Sequence, residues 1–245
     1  AYTAAILTMR GGWHYLASLV AASLIGAAVG LLLSWPLARL RGVFQAIATL
    51  AFVQVVMALA LYSDNLTGGA MGLNAIPNLV GTVETLVSLL LVIYLMTAIS
   101  ATRLGRAFEA IRQNEAVASS LGVSVNFHQA LAFAISGAIA GLFGGLEAFQ
   151  SFTLFPATFG FPAVIAALSY VVLGGRRSVA GPIVGAAILL ALPEFSRPLA
   201  DYRMALYGAI LMLVIAFLPR GIVDTALLAL RRRRIARSGP TEPRK

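Results

Sequence analysis

Long stretches without Asp, Glu, Lys or Arg alternate along this chain with short clusters of charge, and seven of them mark candidate membrane segments. A helix needs about 20 apolar residues to cross about 30 Å of hydrocarbon, and most of the seven stretches are long enough. The pattern therefore predicts a membrane protein with several crossings. The uncharged stretches are residues 11–38, 42–63, 85–102, 116–146, 148–175, 178–193 and 204–219.

Five full-length membrane helices are predicted, four of them within these stretches and one that continues past Glu147. Trp13 and Trp35 lie about 33 Å apart along a helix, so both indoles can lie at the headgroup level of the first crossing. Two further apolar stretches, 162–173 and 181–192, are shorter, at about 18 Å of helix each. Because they are bounded by Gly174-Gly175 and Gly181-Pro182, they predict short discontinuous helices packed inside a bundle. The five full-length helices are predicted within 13–35, 44–61, 85–101, 127–149 and 204–218.

The distribution of positive charge predicts the orientation. If the two short stretches also cross, the chain makes seven crossings, and 15 of its 18 Lys and Arg residues fall in loops on one side. Cytoplasmic loops carry such an excess, so residues 39–41, 103–112, 176–177 and the C-terminus are expected inside. Arg10, Arg197 and Arg203 are expected outside.

Composition agrees with this fold and excludes several kinds of chemistry. Hydrophobic residues make up 60% of the chain and charged residues 11%, too few to cover a water-facing surface. The chain has no cysteine and two histidines, so it offers no thiolate nucleophile and little for a metal site. We expect an all-α, polytopic helical bundle over residues 1–230 and a basic cytoplasmic tail over 231–245, with no catalytic or metal-binding residues.

Glycines at four-residue spacing predict how the helices pack. Small residues on one helix face let backbones approach closely where lipid provides no hydrophobic drive for association. The alternative is that glycine is simply common in membrane helices. The sets are Gly26 with Gly30, Gly137 with Gly141 and Gly145, and Gly181 with Gly185.

Residues 103–122 turn polar on the side assigned to the cytoplasm. Arg106, Glu109 and Arg112 are three residues apart, so they can pair along one helical face, and Gly122 can end the helix. Such a surface helix can transmit movement by resting in a partner's groove. The alternative is a connector that lies in solvent or headgroups and has no partner.

This segment resembles a family motif. Residues 112–122 are similar to the coupling loop of ABC importer permeases, in the version found in the branched-chain amino acid permease family, and other blocks follow in family order. The chain most resembles the M-type subunit, with its N-terminus shortened. The motif reads Arg112-Gln113-Asn114-Glu115-Ala116-Val117-Ala118-Ser119-Ser120-Leu121-Gly122, and the other blocks are 37–42, 66–73, 135–141, 173–186, 202–204 and 219–221.

The resemblance implies a transport complex in a bacterial inner membrane. A second, homologous permease would complete the pore, two cytoplasmic ATPases would drive it, and an external binding protein would deliver a branched-chain or related aliphatic amino acid. The sequence contains no G-x-x-x-x-G-K-[ST] loop, so ATP and Mg²⁺ are expected on the partner ATPases. The residues expected to contact the ATPases are Arg106, Glu109, Arg112, Glu115, Ala116 and Gly122.

For the translocation path we expect the glycine-rich segment 67–72 on the outer side, where backbone N–H groups could form a nest for a carboxylate. An ordinary turn is the alternative reading of this segment. Glu84 and Glu147 are expected near the outer interface, where a carboxylate can reach water. The residues assigned to the path are Thr67, Gly68, Gly69, Gly72, Gly174 and Gly175.

Other functional classes stay open at this point. A passive channel, or an ion-coupled secondary transporter, for a small solute such as urea or an amide would share the composition. The acids that ion coupling places near the membrane midplane are absent from the predicted spans. An enzyme is disfavoured, since no G-x-S-x-G or H-E-x-x-H motif occurs.

Overall fold

The computed structural model describes residues 1–40, 42–176 and 178–195, together with 212, 223 and 225. Its helices confirm the predicted all-α membrane bundle, and five helical segments are long and apolar enough to cross a bilayer. The predicted crossing at 204–218, apart from residue 212, and the basic tail lie outside the described residues. The helices are α1 (Tyr2–Gly11), α2 (Tyr15–Leu37), α3 (Val43–Tyr62), α4 (Asp64–Thr67), α5 (Thr82–Ala101), α6 (Arg103–Gln113), α7 (Glu115–Ser120), α8 (Val125–Gln150), α9 (Phe161–Gly174) and α10 (Ala180–Phe195).

The chain forms two compact units, Ala1–Phe161 and Pro162–Lys245. The first unit is built around α2 and α8, which pack closely along their glycine faces. A Cβ atom added at Gly26 would overlap the carbonyl oxygen of Gly137 and lie 3.1 Å from the Cα of Gly141. One at Gly30 would overlap the carbonyl oxygen of Phe133. Backbone therefore rests on backbone, which confirms the packing predicted for these glycines.

The core of the first unit lies at one end of the α2–α8 pair. Ala4 and Ala5 of α1 are fully buried there, as are Ala148 and Phe149 near the end of α8. The loops join this core through a two-residue antiparallel ladder, β1 (Leu73–Asn74) with β2 (Thr153–Leu154), in which Leu73 pairs with Leu154. We call this end the β1–β2 end.

Polar bonds join the helices where lipid would otherwise leave these groups unsatisfied. The Ser23 hydroxyl of α2 donates to the carbonyl oxygen of Ala138 of α8 at 3.0 Å. Ser18 is fully buried, and its Oγ lies 2.9 Å from the Oγ of Thr8 in α1. Each bond satisfies a hydroxyl in an apolar setting, so these contacts add specificity to the glycine packing.

Helices α3 and α5 differ from the central pair. Neither contains a buried residue, and large apolar side chains such as Phe44 and Leu90 are exposed on them. Surfaces of this kind are typical of helices that face lipid or another membrane protein.

In the second unit, α9 and α10 form a close hairpin. A Cβ atom at Gly174 would overlap the carbonyl oxygen of Gly181, and one at Gly185 would overlap that of Tyr170. This contact confirms the packing role predicted for Gly181 and Gly185.

The first short stretch is longer than the sequence indicated. A 3-10 turn at Pro156–Phe159 precedes α9, and together they form the apolar segment Pro156–Gly174 of 19 residues, long enough to cross. The predicted stretch begins at Pro162, but proline fits the first turn of a helix, where its missing N–H has no intrahelical partner anyway. Helix α10 has 16 described residues and remains shorter than a full crossing.

Candidate coupling segment and glycine loop

The α6 helix carries the charged residues that the sequence grouped together. Arg112 and Glu109 form an ion pair with 2.8 Å between Nη2 and Oε1, and the Gln113 amide donates to the same oxygen at 3.2 Å. Both ionic side chains are about half exposed, so the pair adds only about 0.3–0.5 kcal/mol to helix stability. Its main effect is to hold a defined charged surface toward water.

The predicted single helix over 103–122 is wrong, because the structure breaks it at Asn114. This residue is extended, with φ −162° and ψ 114°. Its side-chain oxygen accepts hydrogen bonds from the backbone N–H groups of Ala116 at 3.0 Å and Val117 at 3.2 Å. Asn114 is therefore the N-cap of α7, a position that asparagine favours. The signal for this break is present in the sequence, as an Asn directly before a new helical turn.

Gly122 ends α7 as predicted. Its φ is +82°, its N–H donates to the carbonyl oxygen of Ser119 at 3.0 Å, and the N–H of Val123 donates to that of Ala118 at 3.1 Å. These two bonds define a Schellman motif, whose left-handed residue is usually glycine. The short α7 helix is thus fixed at both ends.

The α6–α7 segment contacts the start of α8 through side chains. The Gln129 amide donates to Glu115 Oε1 at 3.1 Å, and the rings of Phe108 and His128 meet edge to face at 5.8 Å. Ala118 is buried. Gln129 was not predicted, because its partner lies 14 positions away and only the fold brings the two together.

A cavity of about 460 Å³ opens beside this contact. Glu115 and Ala116 line it from α7, while Ala38 and Leu40 line it from the segment after α2. The two loops that the charge pattern assigned to one side of the membrane therefore lie at the same end of the molecule, which we call the α6–α7 end. Arg106, Glu109, Arg112, Ala116 and Gly122 are exposed there, whereas Glu115 is half-buried and bonded to α8.

The predicted path residues are divided between the two units. Thr67, Gly68, Gly69 and Gly72 form a tight loop at the β1–β2 end, where a Cβ atom at Gly72 would overlap the carbonyl oxygen of Leu154. Gly174 and Gly175 belong to the α9–α10 turn of the second unit, and Gly175 has φ +114°.

Three backbone N–H groups of the glycine loop (67–72) already donate hydrogen bonds inside the protein. The N–H of Gly68 donates to the carbonyl oxygen of Asp64 at 3.0 Å, and that of Gly72 to the carbonyl oxygen of Gly69 at 3.2 Å. The N–H of Gly69 donates to the Thr67 hydroxyl oxygen at 3.3 Å. These three amides therefore do not form the anion-binding nest that the sequence suggested. A role of the loop in the translocation path stays a prediction.

A comparison with protein-family models covers both segments. The family model described as "Branched-chain amino acid transport system / permease component" matches residues 1–215. The chain belongs to this family. The match includes α6, α7 and the glycine loop, and with the apolar helices it identifies a multi-pass membrane protein of the permease type.

Individual relatives agree with the family match. The chain is 33% identical to the high-affinity branched-chain amino acid transport system permease protein LivM of Salmonella typhimurium and to that of Escherichia coli, over 91% of the chain and 60% of each relative. It is also 30% identical to the probable branched-chain amino acid transport permease protein LivH of Methanocaldococcus jannaschii, over 54% of the chain and 43% of that protein. The chain thus spans less than two thirds of the length of these relatives. No solved structure matches it.

Two acidic residues of this permease-family chain, Glu84 and Glu147, lie at the β1–β2 end, and their position near the outer interface stays a prediction. Glu84 Oε2 accepts the backbone N–H of Gly81 at 2.9 Å and so fixes the start of α5. Glu147 is exposed in the last turn of α8, where its Oε1 accepts the Ser151 hydroxyl at 3.2 Å. Among the described residues, no group of three or more His, Asp or Glu side chains could hold a metal ion.

Proposed function

We propose that this chain is a membrane-spanning permease subunit of an ABC importer, which forms the translocation path for branched-chain or related aliphatic amino acids together with a second permease. The observation that carries the proposal is the family match over residues 1–215, which includes the capped α6–α7 segment. The relatives at 33% identity are permease proteins of high-affinity branched-chain amino acid transport systems.

The coupling role is assigned to the α6–α7 end. Its exposed surface offers an ion pair, Arg112 with Glu109, and a short helix that is fixed at both ends by Asn114 and Gly122. A rigid, charged protrusion of this kind suits a partner that pushes on it, because little of the movement is lost in local unfolding. The ATPase contact is proposed to include Arg106, Glu109, Arg112, Glu115, Ala116 and Gly122.

The α6–α7 end is proposed to face the cytoplasm of a bacterial cell, with the C-terminus on the same side. The loops at this end contain Arg39, Arg103, Arg106 and Arg112, whereas Arg10 is at the opposite end, bonded to the carbonyl oxygen of Asn65. This asymmetry follows the positive-inside rule.

The partners follow from the same assignment. Relatives named both LivM and LivH match the chain, which favours a second, homologous permease in the pore. Two ATPase subunits would bind ATP and Mg²⁺ on the cytoplasmic side, and an external binding protein would present the amino acid at the β1–β2 end. This chain would hold no cofactor and catalyse no reaction.

The proposal is tested by copurification and by one charge reversal. Tagged chain, expressed with the ATPases and second permease of its own genome, should bring both out of detergent and raise their ATP turnover when loaded binding protein is added. Glu115→Lys should leave membrane insertion intact and lower that stimulated turnover about tenfold or more, because a cation replaces a carboxylate in the contact. Failure of any ATPase to copurify, or unchanged stimulation in the variant, would contradict the assignment.

A further inference from the structure

A charge-assisted hydrogen bond joins the α6–α7 segment to helix α8. The Gln129 amide of α8 lies 3.1 Å from Glu115 Oε1 at the first residue of α7, and both side chains are half-buried. The Arg112–Glu109 ion pair, by contrast, lies wholly within α6. The Gln129–Glu115 bond thus joins two elements that are otherwise separated by the turn at 121–124.

Helix α8 is in turn tied to α2 by backbone contacts. Cβ atoms at Gly137 and Gly141 would overlap the carbonyl oxygens of Gly26 and Ala22, and the Ser23 hydroxyl bonds the carbonyl oxygen of Ala138. Close-packed interfaces of this kind do not deform gradually, so α2 and α8 should move as one body. Gln129 is only about 12 Å along the helix from the first of these contacts.

We infer that Gln129 is a positioning residue: through Glu115 it fixes α7 to α8, so that the α2–α8 pair follows every displacement of the coupling segment. This inference rests on the proposed function. It identifies the contact through which movement of the α6–α7 segment reaches the α2–α8 pair. Gln129 itself is proposed to contact neither the ATPases nor the transported solute.

Two further contacts between these elements are less directional. The Phe108–His128 ring contact and the burial of Ala118 hold the surfaces together but tolerate sliding. A hydrogen bond to a carboxylate is directional, and it weakens steeply when its geometry changes. Loss of the Gln129 amide should therefore loosen the register between α7 and α8 without unfolding either helix.

The first test measures solute imported per ATP hydrolysed by the reconstituted complex. Gln129→Leu, which keeps the size and removes the donor, should lower this ratio about tenfold while basal ATP turnover and copurification stay unchanged. Gln129→Lys, which restores a donor toward Glu115, should recover the ratio to within about twofold of the unmodified chain. Gln150→Leu is the matched control, because it removes an amide bonded to Thr85 at the β1–β2 end and should leave the ratio unchanged.

The second test measures the linkage itself. The sequence has no cysteine, so spin labels can be placed without background at Leu121 and at Leu32 of α2, which are 75% and 70% exposed. With Gln129 present, the distance between the labels should stay the same with and without ATP. In Gln129→Leu the distribution should broaden or shift when ATP is added.

The possible results separate the two proposals. If ATPases fail to bind even the unmodified chain, the proposed function is wrong. If they bind and drive import, but Gln129→Leu retains the ratio and the label distance of the unmodified chain, only the role of Gln129 is wrong. A Gln129→Lys variant as impaired as Gln129→Leu would also overturn it.

Discussion

The α2–α8 pair and the α6–α7 segment are held together in opposite ways. In the pair, glycines bring backbone onto backbone, and Gly26, Gly137 and Gly141 leave no space for a side chain. In the segment, the fold depends on side-chain bonds and on two helix ends, the Asn114 cap and the Gly122 turn, with most side chains exposed. The pair is therefore held by backbone packing along its length, whereas the segment is held by its capped ends and a few side-chain bonds.

The largest effect is expected at the glycine interface. Gly26→Leu should destabilise the folded chain by about 3 kcal/mol, because the new side chain meets backbone that cannot move aside. Thermal unfolding in detergent, followed by size-exclusion profile, measures the loss. Leu32→Ala on the exposed face of the same helix is the control and should change stability little. A Gly26→Leu variant as stable as the control would contradict the close packing.

A smaller effect is expected at the end of α7. Gly122→Ala places a Cβ in a left-handed conformation and should cost about 1 to 2 kcal/mol locally, with a fall in solute imported per ATP. Gly12→Ala is a matched control, since Gly12 has φ +63° and open space around its Cβ position, as Gly122 has. If both variants lose import equally, backbone strain at an alanine in the left-handed region is responsible, and the position of Gly122 at the end of α7 is not.

The cap at Asn114 should matter slightly less. Asn114→Ala removes the acceptor for two backbone N–H groups and should destabilise α7 by about 1 kcal/mol, whereas Asn114→Asp should retain the cap. Hydrogen exchange of residues 115–120 checks this, with about fivefold faster exchange expected in the alanine variant. Unchanged exchange would mean that packing on α8 alone holds α7.

The smallest effect on stability is expected from the exposed ion pair. Arg112→Ala should lower the free energy of unfolding by only about 0.4 kcal/mol, because both partners are solvated. The fall in stimulated ATP turnover should be several times larger than this small loss of stability would cause by itself. A variant that loses stability and stimulation in proportion would indicate that Arg112 acts through folding and not through contact.

The sequence anticipated features that depend on local spacing. Glycines four residues apart lie on one helix face whatever the fold, so the close-packing faces of α2 and α8 could be predicted from Gly26, Gly30, Gly137 and Gly141, but their contact with each other could not. The Arg112–Glu109 pair and the helix end at Gly122 could also be predicted from local spacing.

Features that depend on distant partners could not be predicted. The β1–β2 ladder has two residues on each side, too few for a periodic signal, and it joins Leu73 to Leu154. Gln129 acquires its role only when α7 folds back onto α8. From the sequence, the backbone N–H groups of the glycine loop could be taken as free to bind an anion. The acceptors of their hydrogen bonds, on Asp64, Thr67 and Gly69, become evident only in the folded loop.

We propose that solute crosses only when an ATPase drives this chain, and uptake into sealed vesicles tests this dependence. Vesicles that contain both permeases and the ATPases, with external binding protein and internal MgATP, should accumulate labelled leucine, isoleucine or valine against a gradient. Vesicles without the ATPases, or without ATP, should take up none. Equal uptake without ATPases would identify a passive channel instead, and uptake that follows an ion gradient would identify a secondary transporter.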